Sequence, residues 1–322
     1  MKLDPVAPEL RRSVSRIPRL PLRLAWVLRG VRALARRHSP GDPVKGVTVE
    51  LVDEGQGIRV YTPAGDRSGA ALLWVHGGGY VIGDALQDEV FCSATAQALG
   101  IVVVSTNYRL APEHPFPAAL DDAFAAWEWL GRSAEALGID RDRVAVGGGS
   151  AGAGLAACLV QRLYDAGGTR PVAQWLFAPM ADDRTAARRE LDPVRHRVWS
   201  NAANRRGWRA YLGTEPGGSH APDYAVAARR ADLRGLPPAW ISVGDIDLFA
   251  DECRTYAERL RDAGVECAFD LVPGAPHGFE TWAPDTRPAR ELLERSRAWL
   301  GAHLSGSGAG SGPGSSVVPG EP

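Results

Sequence analysis

Cysteine is scarce in this chain. Cys92, Cys158, Cys253 and Cys267 are spread over 322 residues, and none stands in a CxxC pair or at zinc-ligand spacing. Neither a disulfide scaffold nor a structural zinc site is expected, and a reducing, cytoplasmic setting is the default. Long apolar runs are missing as well. No stretch approaches 18 uninterrupted apolar residues, so no membrane-spanning helix is expected. The longest uncharged apolar run near the start, Leu24 to Leu28, is too short for the core of a signal peptide. An excess of one charge is also lacking: 37 Lys and Arg stand against 38 Asp and Glu, a net of -1, and no global basic field argues for nucleic acid. Lysine is nearly absent, with only Lys2 and Lys45, which reads as codon bias and not as chemistry. The balanced total hides a split, because residues 1–40 carry ten basic and two acidic side chains, a net of +8, and leave -9 for the rest.

What is present is globular: 45% apolar and 23% charged residues, in a length that suits two ordinary domains or one large one. Short β-rich runs at 47–52, 58–61, 71–76, 101–106, 143–146, 172–177, 239–243 and 267–272 alternate with helical stretches at 87–99, 117–137, 151–165, 250–263 and 287–300. Helices between strands demand crossovers, hence an α/β fold with a mostly parallel eight-stranded sheet flanked by helices. Runs such as Ile101–Val104 are apolar at consecutive positions, as suits strands buried on both faces. The expected organisation is 1–40 as a helical cap part, 41–181 and 237–304 as two halves of the core, 182–236 as a mostly helical cap insertion, and 305–322 as a disordered Gly/Ser-rich tail. In the first segment Leu20, Leu24, Val27, Leu28, Val31 and Leu34 form an apolar stripe with arginine opposite. A basic amphipathic helix of this kind also suits an anionic membrane surface, but burial within a cap is the favoured reading.

Chemistry concentrates in a few places. Gly148-Gly149-Ser150-Ala151-Gly152 is G-x-S-x-G between a strand and a helix, where small neighbours let a serine stand out from a sharp turn toward the helix's N-terminal amides. The competing readings are an idle serine in a Gly-rich turn, or a dinucleotide fingerprint at Gly147, Gly149 and Gly152 with Asp165 downstream. The latter fits poorly, because Asp165 falls near a helix end and not at the end of a second strand. A second motif, His76-Gly77-Gly78-Gly79-Tyr80, leaves a strand directly into three glycines. Such a loop aims N–H groups at an oxygen, so Gly78, Gly79 and the amide of Ala151 are candidate oxyanion donors. His76 is expected to brace the loop. Among seven histidines, His277 in a loop after the last strand is the candidate base; His38, His114, His196, His220 and His303 lie in less suitable surroundings. Asp245 and Asp247 both follow the preceding strand, and spacing alone leaves the orienting acid open between them. The order Ser, Asp, His is that of α/β-hydrolases.

Together these motifs, with Asn107-Tyr-Arg-Leu-Ala-Pro-Glu-His-Pro-Phe-Pro117, Asp247-Leu-Phe-Ala-Asp-Glu252 and His277-Gly-Phe279, resemble the hormone-sensitive-lipase-like family of α/β-hydrolase esterases over about 47–300. The resemblance selects Asp247, the first Asp of D-x-x-x-D-E, over Asp245. It implies a Ser150–His277–Asp247 triad, the same three oxyanion donors, no metal or organic cofactor, and a small-molecule ester as substrate, of short to medium acyl chain or an acetyl ester. Tyr80, Trp199, Trp208 and Phe279 are the candidate pocket residues. The family usually has Asp or Thr where this chain has Gly149. The competing functions are an amide, formamide or acetylated-natural-product deacylase on the same triad, a binding module without turnover, and a nucleotide-dependent oxidoreductase.

Overall fold

A computed structural model describes residues 5–17, 25–35, 37, 41–194 and 196–306. Leu20, Leu24, His38 and the tail beyond 306 lie outside the described residues. Eight strands run in chain order: β1 (Val47–Val52), β2 (Ile58–Pro63), β3 (Ala71–Val75), β4 (Val102–Thr106), β5 (Val144–Gly149), β6 (Gln174–Phe177), β7 (Ala239–Gly244) and β8 (Cys267–Val272). They form one sheet in the order β1-β2-β4-β3-β5-β6-β7-β8. β1, β2 and β4 pair antiparallel, and every pairing from β4 to β8 is parallel. The helices are α1 (Pro8–Arg16), α2 (Ala25–Ala35), α3 (Glu89–Leu99), α4 (Ala118–Leu137), α5 (Ala151–Ala166), α6 (Arg184–Ala187), α7 (Asn201–Leu212), α8 (Ala250–Asp262), α9 (Phe279–Trp282) and α10 (Arg287–Leu304). None is long and apolar enough to cross a membrane.

The sheet's period of two sends alternate residues into two cores. Ala71, Leu73 and Val75 of β3 meet α4, α5 and α8 through residues such as Leu120, Leu155 and Tyr256. Leu72 and Trp74 face the other side, with Cys92 of α3, Leu292 of α10 and Leu10 and Val14 of α1. Both faces are thus covered, which accounts for strands that read as unbroken apolar runs. The order reverses at β3: its successor β4 lies on one side and β5 on the other. Loops leaving the carboxyl ends of β3 and β5 therefore diverge and open a crevice, the usual ligand site of an open α/β sheet.

Two expectations change. The first segment holds α1 as well as the helix foreseen near its end. α1 is short, and its buried face is only Leu10 and Val14, which continue the four-residue spacing begun by Val6. It ends at Arg16, before Pro18, whose ring disfavours helical backbone in the residue before it. α1 docks through Ala7 N–H on Gly274 O (2.9 Å) and through the Glu9–Arg287 ion pair. α2 buries Val27 but exposes Trp26 and Leu34; Arg32 anchors it by donating to Val81 O (2.7 Å) and Ala111 O (2.6 Å). The 182–236 insertion lacks strands among the described residues, as expected, but it is not mostly helical. It holds α6, α7 and short 3₁₀ turns, because prolines 193, 216 and 222 and Gly217-Gly218 keep breaking the helix.

Ion pairs hold these irregular stretches. Asp183 is buried; it accepts from Arg229 Nε (2.6 Å) and Nη2 (3.0 Å) and from the Gly217 amide (2.6 Å). Removing one partner strands a buried charge, so Asp183→Ala is expected to lower the unfolding free energy by about 3–5 kcal/mol in urea titrations. Asp232→Ala, which removes the exposed Arg234 pair, is expected to leave the midpoint unchanged.

Candidate active site

β5 runs into α5 through a single residue. Ser150 has φ 55° and ψ -119°, a backbone conformation an L-residue holds only when its surroundings enforce it. Those surroundings are tight. Ser150 N–H donates to Phe177 O (2.7 Å), and its carbonyl accepts from Gly154 and Met180 N–H, both at 3.0 Å. Gly152 lies on β3: a Cβ there would stand 2.1 Å from Val75 O and 2.3 Å from His76 O. This glycine lets α5 approach the sheet and fixes where the serine points.

His277 sits in the turn between β8 and α9. Its Nδ1 lies 2.7 Å from Asp247 Oδ2 and its Nε2 lies 2.8 Å from Ser150 Oγ. A carboxylate only accepts, so Nδ1 carries the proton and Nε2 accepts from the serine hydroxyl. The Phe249 amide donates to Asp247 Oδ1 (3.0 Å), and Trp282 Nε1 donates to His277 O (2.9 Å). Asp245 is not at the imidazole; it accepts from Gly274 N–H (2.7 Å) and braces the loop that carries His277. Of the two aspartates that spacing left open, the fold brings Asp247 to His277. Burial alone would lower the His277 pKa, but the Asp247 charge and hydrogen bond, with Glu280 adding, outweigh it and raise the pKa above its ordinary value.

The glycine loop after β3 faces the serine. Gly78 and Gly79 have φ 127° and 59°, and their missing side chains matter: a Cβ on Gly78 would stand 1.9 Å from Ile82 O, and one on Gly79 2.2 Å from the Trp199 ring. Among the described residues no group accepts from their N–H donors. Ala151 opens α5, where first-turn amides have no partner within the helix. His76 is buried, stacks on Tyr108 at 4.2 Å and bonds Gly77 O through Nδ1 (2.8 Å), while Tyr108 donates to His76 O (3.0 Å). Burial lowers its pKa to about 4, so it is neutral at ordinary pH and lies among the loop's own contacts.

Ser150, His277, Gly78 and Gly79 open on a cavity of about 620 Å³. Of the four aromatic residues expected around it, Trp199 alone lines it. Tyr80 stacks on Tyr211 at 4.1 Å and donates to Met180 O (3.2 Å). Trp208 packs in the same core, and Phe279, the first residue of α9, is turned into the opposite one. Their side chains fill the supports of the site and not its wall. The wall includes residues that sequence reasoning did not single out: Val14 and Ile17 from the N-terminal segment, and His196 and Arg206 from the insertion. Nothing local marks them, since they reach the site through long-range packing.

The dinucleotide reading fails on the same geometry. Gly152 is occupied by β3, and Asp165 is held by Arg230 (2.5 Å) and Tyr224 (2.8 Å). No group of three or more His, Cys, Asp or Glu residues suited to a metal occurs among the described residues.

The α/β hydrolase fold family matches residues 72–281. Carboxylesterase NlhH of Mycobacterium tuberculosis is 35% identical over 249 residues, which cover 76% of this chain and 77% of that protein. This chain belongs to the hormone-sensitive-lipase-like esterases of the α/β-hydrolase fold. Ethyl acetate hydrolase of Pseudomonas putida, 34% identical over 271 residues, covers 77% of this chain and 78% of its own length. Among solved structures, bacterial heroin esterase superposes with a TM-score of 0.84 at 33% identity, covering 94% of this chain and 99% of its own. This esterase-family chain is a carboxylic ester hydrolase.

One outcome follows for the imidazole. In an NMR titration His277 should hold its proton above the ordinary pKa of about 6.5, and Asp247→Asn should move that titration to lower pH, since it removes the charge that raises it. An unchanged titration would contradict the pairing.

Proposed function

We propose that Ser150, His277 and Asp247 are the catalytic triad of this esterase, acting through an acyl-enzyme. Ser150 Oγ attacks the ester carbonyl while His277 Nε2 takes its proton. Asp247 holds the Nδ1–H tautomer and stabilises the imidazolium. The carbonyl oxygen gains negative charge and rests on the amides of Gly78, Gly79 and Ala151. His277 then protonates the leaving alcohol and afterwards takes a proton from the water that hydrolyses the acyl-serine. The observation that carries this reading is the continuous chain Ser150 Oγ–His277 Nε2 (2.8 Å) and His277 Nδ1–Asp247 Oδ2 (2.7 Å), set on a strained turn at a cavity.

The substrate class in this reading is an ester with an acetyl, short or medium acyl group. The name of ethyl acetate hydrolase supports the short end. Segments 1–40 and 182–236 act as the cap, supported by their contributions of Val14, Ile17, Trp199 and Arg206 to the cavity wall. Four free, buried cysteines accord with a reducing cytoplasm.

The test is hydrolysis of p-nitrophenyl acetate and butyrate. Asp247→Asn is expected to lower kcat by about 10⁴-fold and Ser150→Ala by about 10⁶-fold, with folding verified by circular dichroism. Full activity in Ser150→Ala would overturn the mechanism. Faster cleavage of p-nitroacetanilide than of p-nitrophenyl acetate would replace ester with amide as the substrate class.

A further inference from the structure

β5 ends in three glycines, and the backbone requires only two of them. A Cβ on Gly147 would stand 2.8 Å from Trp175 O, and one on Gly148 2.5 Å from the Gly152 carbonyl carbon. A Cβ on Gly149 would meet a single atom, Cζ2 of Trp74, at 3.8 Å, which is ordinary contact. Gly149 is also absent from the residues with left-handed φ. The fold therefore tolerates a side chain immediately before Ser150, and glycine there leaves space.

That space is a second cavity of about 150 Å³, bordered by Gly149 and by Ser150, Gly78 and His277. Trp74, Phe91, Phe177 and Trp282 give it four aromatic faces, alongside the polar Gln87, Asp88, Glu280 and Thr281. The two cavities differ in a way that bears on a two-step reaction. The alcohol must leave and water must enter while the acyl group stays bound to Ser150. The larger cavity, with Asp192, His196, Ser200 and Arg206 in its wall, suits a departing alcohol and an arriving water. The smaller aromatic one suits the part that stays.

We propose that the smaller cavity is the acyl site, that Gly149 sets its depth, and that it takes uncharged apolar acyl chains of up to about six carbons, a size matched by the benzene-binding capacity of cavities near 150 Å³. This inference rests on the acyl-enzyme reading above. The lining bears on charge as well. Asp88 and Glu280 stand in the wall, and the described lining holds no Lys or Arg. Asp88 accepts from Trp74 Nε1 (2.8 Å). Burial pushes Asp88 up to about 6 and Glu280 up to about 7, and neither supplies a cation to pair with an acyl chain that ends in a carboxylate.

The experiment compares wild type, Gly149→Ala and Gly149→Val on p-nitrophenyl acetate, butyrate and hexanoate, then on acetates of several alcohols. Losing one or more methylenes of room in an apolar pocket is worth about 10–200-fold. Gly149→Val should therefore lower kcat/KM for hexanoate by about 10–100-fold, in keeping with that range, while acetate stays within about threefold and Gly149→Ala falls between. The ranking of alcohols should not move. A uniform loss across acyl lengths, a change that follows the alcohol, or no change would each overturn the assignment. A wild type that hydrolyses none of these esters would instead refute the esterase mechanism, so the two failures are distinct.

Discussion

The close seat of α5 on β3 is the contact on which the site depends. Gly152 touches the carbonyls of Val75 and His76, and only a residue without a Cβ permits that approach. Because α5 begins so near the sheet, β5 must turn within one residue, and Ser150 takes the strained conformation that exposes its hydroxyl. The same approach brings the first amides of α5 beside the loop that leaves β3. Strand order supplies the rest, since β3 and β5 are neighbours whose onward connections diverge. Ser150 and the glycine loop thus meet where the sheet opens.

Around this contact the polar groups form a chain of dependence, with Asp247, His277 and Glu252 buried and Asp245 exposed at its rim. Asp247 is held by the Phe249 amide, His277 by Asp247 and by the Trp282 bond to its carbonyl, and the loop between β8 and α9 by Asp245. Glu252, on the same stretch as Asp247, accepts from the amides of Ala181 and Asp182. It ties the root of the insertion to α8, so the cavity wall and the His277 partner share one support. Hydrogen bonds of this kind are strongest where water is excluded, and their loss there is correspondingly costly.

Much of this was legible in the sequence, and the reason is locality. The strands show as apolar runs because the sheet is covered on both faces. The turn at Ser150 shows because steric demand selects glycine at 148 and 152, and the loop at 77–79 shows for the same reason. His277 was singled out by its position after the last strand. What was not legible depends on side-chain direction and distant packing. Tyr80, Trp208 and Phe279 lie next to site residues in the chain, yet they turn into the two cores. Val14, Ile17 and His196 lie far away and reach the cavity. Nothing in the spacing separated Asp245 from Asp247; the difference is a two-residue step in a turn, which one places against the loop and the other against the imidazole. α1 carries a clear amphipathic pattern, with Leu10 and Val14 four residues apart among polar neighbours, but at nine residues it is shorter than the stretch over which a helical period is counted.

The measurement that bears most directly on the central claim is covalent labelling with an organophosphonate, followed by peptide mass spectrometry. The account predicts one adduct per chain, on Ser150, and its loss in His277→Ala, where nothing takes the hydroxyl proton. An adduct on any other residue, or undiminished labelling without His277, would contradict it.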